Sequence, residues 1–105
     1  MTANTNTATR PALDVDAVRE LHLFAVNDAR TYDYSITPTA ANLDRKRRRG
    51  VYDPARAVAA WQYVADFAAR RYAADFGGRW CDVFPAAVRR EVARILASDY
   101  DADVI

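Results

Sequence analysis

Residues 54–76 constrain the fold more than any other part of this chain. The segment contains no internal glycine or proline after Pro54 and is bracketed by Asp53-Pro54 and Gly77-Gly78. An Asp side chain can accept from the first free backbone N–H groups of a helix, and a proline at the first helical position loses no bond. Glycine takes the left-handed conformation that ends one. Val58, Trp61, Val64, Ala65, Ala68, Tyr72 and Phe76 recur between those signals at helical spacing. The pattern predicts one long amphipathic helix with that stripe inward.

Three further helices follow from similar reasoning. Asp14 or Asp16 can cap a first helix, with Glu20 near its positive end. Val18, Leu21, Ala25, Ala29 and Tyr32 carry its stripe, which Leu23, Phe24 and Val26 widen. This predicts a central helix running to about Tyr32. Tyr32 to Ile36 reads either as a last turn or as an extended connector. Thr37-Pro38 then reads as a cap followed by a first-turn proline, opening a helix that ends at Gly50. After a short loop holding Trp80 and Cys81, Phe84-Pro85 opens a last helix to about Ser98, with Val88, Val92, Ile95 and Leu96 inward. Arg90 and Arg94 fall on its opposite face.

No strand alternation competes with these signals. The expected fold is all-α, a compact bundle of about four helices with short loops. The expected organisation is a flexible leader over residues 1–12, a single helical domain over 13–100 and an acidic tail over 101–105. At 105 residues, 51% of them hydrophobic, much of the apolar content is alanine. Leu21, Phe24, Trp61, Phe76, Ile95 and Leu96 are therefore the candidate core, each contributing about 1.5–3 kcal/mol if fully buried.

Net charge is +1, but the distribution is uneven. Residues 38–60 hold six cations against two carboxylates, while 99–105 hold three carboxylates and no cation. Arg45, Lys46, Arg47, Arg48 and Arg49 are consecutive and end at Gly50. At 100° per residue Asn42, Arg45, Lys46, Arg48 and Arg49 share an exposed arc, with Leu43 and Ala40 opposite and Arg47 on the inner side. Such an arc suits the phosphates of nucleic acid, with Asn42 free for a base edge or sugar, or the charges of another polyanion. The competing reading is a solvated face neutralised by Asp44, Asp53 and the acidic tail. No helix-turn-helix, zinc-finger or single-strand-binding signature adds a specific mode.

A second candidate surface lies on the long helix, where Tyr63 and Phe67 sit one turn apart near Arg56 and Arg71. It reads either as packing against the first or last helix or as a hydrophobic anchor for a protein partner or a second subunit. Asp66 and Arg70 have the favourable i,i+4 order for a surface pair.

Enzyme signatures are weak. His22 is the sole histidine and Cys81 the sole cysteine. Each reads as a packing residue, and one of each does not make a zinc set. Gly77-Gly78-Arg79 lacks the phosphate-loop pattern. The expectation is a non-enzyme without metal or cofactor. The polar start and the lack of a long apolar run lead us to expect a cytoplasmic protein with no membrane partner.

Several segments taken together resemble a loose group of short open reading frames found on bacterial phages and related mobile elements. They begin with Leu21-His22-Leu23-Phe24, Thr37-Pro38, and Asn42-Leu43 with Arg45 to Gly50. Val51-Tyr52-Asp53-Pro54 with Ala57, Trp61, Ala68-Ala69-Arg70-Arg71-Tyr72 and Phe76-Gly77-Gly78 continue the series. It ends with Phe84-Pro85 and Arg90-Glu91-Val92-Ala93, so that it spans roughly residues 18–100. The resemblance implies a phage-like accessory protein and assigns no catalytic or binding residue.

Overall fold

A computed structural model describes residues 13–101. The leader expected over 1–12 and the tail beyond Asp101 lie outside the described residues. The described residues form α1 (Val15–Asn27), α2 (Ala29–Thr31), a π-helical turn (Tyr32–Ile36), α3 (Thr37–Arg48), α4 (Pro54–Phe76), α5 (Trp80–Val83) and α6 (Ala86–Tyr100). The fold is an all-α bundle whose four long helices are α1, α3, α4 and α6.

The expected caps largely hold. Asp14 Oδ1 accepts from Ala17 N at 3.0 Å, and Asp53 Oδ1 accepts from Ala55 N at 3.0 Å with Pro54 in the first turn. Gly50 (φ 75°) ends α3. Its N–H reaches Arg47 O, and Val51 N reaches Lys46 O. These paired bonds satisfy carbonyls that the helix end would otherwise leave open.

The first helix does not run through to Tyr32. Asp28 leaves the helical conformation (φ −80°, ψ 117°), and its carboxylate accepts from Thr31 N at 3.0 Å and Thr31 Oγ1 at 2.8 Å. A short acidic side chain can offer the backbone a local bond in place of helix continuation, and here it caps α2 instead. The chain beyond is helical throughout, so the expected start at Thr37 is also corrected. Thr37 is itself helical, and its N–H bonds Tyr32 O five residues back. This widened turn directly precedes Pro38, whose ring would meet the i−4 carbonyl in regular α geometry.

The core forms where α1, α4 and α6 meet. Leu21, Trp61, Val64, Val92 and Leu96 are fully buried there, and Trp61 stacks on Tyr100 with centroids 6.1 Å apart. The inward stripe of α4 is Ala57, Trp61, Val64, Ala65, Ala68 and Ala69. Val58 and Phe76, both expected inside, are exposed. Small side chains lie where backbones approach closely, so alanine takes the positions that the larger residues suggested for themselves. Phe84 and Ile36 are buried although neither was among the candidate core residues, while Phe24 and Ile95 are only half-buried. Phe24 still meets Tyr72 edge-on at 5.3 Å and Phe76 at 6.2 Å.

Trp80, expected in a loop, begins the one-turn helix α5. Arg70 and Arg89 hold its ring, with guanidinium carbons 4.5 and 4.6 Å from the centroid. Arg89 also donates to Asp66 at 2.7 Å and to Phe84 O at 2.8 Å. The expected Asp66–Arg70 pair is therefore replaced by contacts across elements. Gly78 (φ 87°) allows this corner, since a Cβ there would lie 2.8 Å from Val83 Cγ2.

Candidate nucleic-acid interface

The basic helix α3 contributes little to the core. Leu43 is its only fully buried residue among those described, packing towards α4. Arg47 turns inward, as its position on the helical wheel requires. Its Nη2 donates to Asp101 Oδ1, and its guanidinium covers the Tyr52 ring at 4.5 Å. Tyr52 Oη donates to Asp101 Oδ2 at 3.1 Å. The Asp101 side chain is 1% exposed and that of Arg47 33%. Asp101, the first residue of the expected acidic tail, is thus a buried anchor that ties the end of α6 to the α3–α4 connection. Burial pushes the Tyr52 phenol upward; donation from Arg47 opposes this, and the Asp101 carboxylate adds to it.

The remaining cations of the run point away from this anchor. Arg45, Arg48 and Arg49 are exposed with Asn42, and Lys46 is half-buried at the edge. Arg45 Nη2 donates to Asn42 Oδ1 at 3.3 Å, and Arg48 lies 3.2 Å from Asp44 Oδ2. Lys46 and Arg49 have no ion pair among the described residues. Pairs as exposed as Arg48–Asp44 contribute only about 0.3–0.5 kcal/mol, so a phosphate can displace the carboxylate at little cost. Four cations against Asp44 leave the face strongly positive.

The second candidate surface divides. Tyr63 is 62% exposed and Arg56 is exposed, seven residues apart on one side of α4. Phe67 is half-buried. Arg71 is withdrawn from that surface. It lies 3.3 Å from Asp28 and 3.2 Å from Asp75, and its side chain is largely covered. Burial alone would raise the Asp28 carboxyl. The Thr31 hydroxyl, Arg71 and the Thr31 N–H outweigh it and hold the group below its ordinary value. The Arg71 contact joins residues 43 positions apart, which no local pattern displays.

The titratable groups weighed for chemistry are scattered. His22 Nε2 lies 3.2 Å from Asp99 Oδ2 near the surface, and Cys81 is half-buried on α5. Glu20 accepts from Tyr72 Oη, a bond that raises the Tyr72 phenol together with burial. Among the described residues no three His, Cys, Asp or Glu side chains gather as a metal-ligand set, and no helix is long and apolar enough to cross a membrane. Comparison with known proteins finds no matching family model, no matching curated protein and no matching solved structure.

Proposed function

We propose that this chain is a non-enzymatic accessory protein that binds nucleic acid through the outer face of α3. The observation that carries this reading is the outward placement of Arg45, Arg48 and Arg49 beside Asn42, on a helix whose inner side alone is engaged with the core. The arginines supply forked donors for phosphate oxygens, and the exposed amide of Asn42 supplies both a donor and an acceptor. The likeness to short phage reading frames supports a phage-encoded role in the host cytoplasm.

The test is retention on a polyanion column and a mobility shift with labelled DNA across a salt series. Three phosphate contacts give a log–log salt slope of about −2.7 on duplex, so affinity falls about 40-fold between 50 and 200 mM salt. Replacing Arg45, Arg48 and Arg49 by Glu should abolish binding while leaving the thermal melt intact. Undiminished binding by that folded variant refutes the proposal.

The exposure of Tyr63 favours one alternative, a protein-interaction module docking through Tyr63, Phe67 and Arg56 onto a host or phage protein. In that case a Tyr63→Ala, Phe67→Ala variant loses its partner while the arginine-to-glutamate variant keeps it.

A further inference from the structure

The cationic face extends beyond the arginine run. From Ala29 to Arg48 the chain is helical without interruption, and its inner edge is marked by burial of Thr31, Ser35, Ile36 and Leu43. Tyr34 stands on the opposite side and is 73% exposed, with no ring contact among the described residues. Spacings of four, four, three and four residues lead from Tyr34 through Pro38, Asn42 and Arg45 to Arg49, so these positions share one outer face. Fifteen residues separate its ends, about 22 Å at helical rise. The carboxylates carried by this helical segment are Asp33, beside Tyr34, and Asp44, which is drawn to Arg47 and Arg48.

We infer that the ligand of this face is single-stranded nucleic acid, with Tyr34 as a stacking platform for a base and Arg45, Arg48 and Arg49 tracking the phosphates. This deepens the proposed function and rests on it. In a duplex the bases already stack on one another and present only their edges, so an aromatic ring outside a groove gains nothing from them. An unpaired base offers its whole face, and stacking tolerates any sequence. The order along the helix suits one strand, with the aromatic ring at one end, the Asn42 amide between and the guanidinium cluster at the other.

The experiment uses the full chain and fluorescence anisotropy with labelled oligothymidylate, oligouridylate and a mixed-sequence duplex of equal length at low salt. The expected result is tighter binding of the single strands. Tyr34→Ala should weaken single-strand binding about 5- to 150-fold and leave duplex binding within about twofold. Tyr34→Phe should retain the single-strand affinity. Because Tyr34 is 73% exposed and makes no ring contact among the described residues, both variants should melt with the parent. Preference for duplex, or single-strand binding unaffected by Tyr34→Ala, overturns the inference while the proposed nucleic-acid binding through α3 stands. Failure of the parent protein to bind any of the three probes removes both.

Discussion

Replacing Asp101 by Ala tests the most consequential contact in the fold. The carboxylate is almost wholly buried and receives bonds from Arg47 and from Tyr52 Oη. Breaking a fully buried ion pair by removing one partner costs about 3–5 kcal/mol, because the remaining charge is stranded. Here the Arg47 side chain keeps a third of its surface in water and retains Asp44 at 3.7 Å and the Tyr52 ring. Water can therefore recover part of the loss, and the expected cost is about 2–3 kcal/mol. In a domain of this size that lowers Tm by about 10–20 °C. Thermal melts followed by circular dichroism, with urea titrations at constant m, measure it. Asp101→Asn keeps the shape and one acceptor and should lose less. In a double-mutant cycle, Tyr52→Phe should cost about 1 kcal/mol alone and almost nothing once Asp101 is gone. A Tm shift for Asp101→Ala below about 3 °C would refute the anchor.

Other perturbations probe different parts of the structure. Ala57→Leu should destabilise by about 1–3 kcal/mol through overpacking, whereas Val58→Lys should stay within about 0.5 kcal/mol; the reverse order in urea titration would restore the stripe expected from sequence. Gly50→Ala should cost about 1 kcal/mol for its left-handed backbone, with open space around the new methyl, while Gly78→Ala should cost more because of Val83. Asp28 is held below its ordinary value as described, and Glu91 is also lowered, by donation from Arg94 against the opposing effect of burial. Their stabilising contribution is therefore complete above the unfolded carboxylate range near pH 4 and is lost as pH falls through the depressed folded values. Denaturation midpoints from pH 7 to pH 3 should show this acid loss, and Asp28→Asn should make it shallower; an equally steep loss in that variant contradicts the assignment. Arg49→Glu alone should reduce the magnitude of the duplex salt slope by about 1, read from binding isotherms at several salt concentrations.

Much of the architecture was legible because its signals are local. Asp53-Pro54, Gly50 and Gly77 act within a few residues of themselves, and the structure places them at helix ends as expected. The outward turn of Arg45, Arg48 and Arg49 and the inward turn of Arg47 follow from helical geometry alone. Other features depend on what lies across the bundle. Asp28 breaks a helix that its apolar neighbours would extend, since Thr31 rewards the break locally and Arg71 from α4. The phase of α4 was displaced because large apolar residues drew attention from Ala57, which is buried where the helices meet. Asp101 and Arg89 have partners 54 and 23 residues away, so their roles could not be read from neighbouring sequence. The outward position of Tyr34 is a local feature of the chain. It follows from the continuation of Tyr32–Ile36 as helix into α3.

The fastening of α3 has a consequence for how this protein can diversify. The helical segment leading into it is clamped at Asp28 and Arg71, and its far end is clamped at Arg47, Tyr52 and Asp101. Between those clamps one edge, marked by Ser35, Ile36 and Leu43, is buried against the other described residues. The outer positions are thus exchangeable like type in a fixed frame. New side chains installed there should change the chemistry of this surface while the molecule still refolds with its original cooperativity.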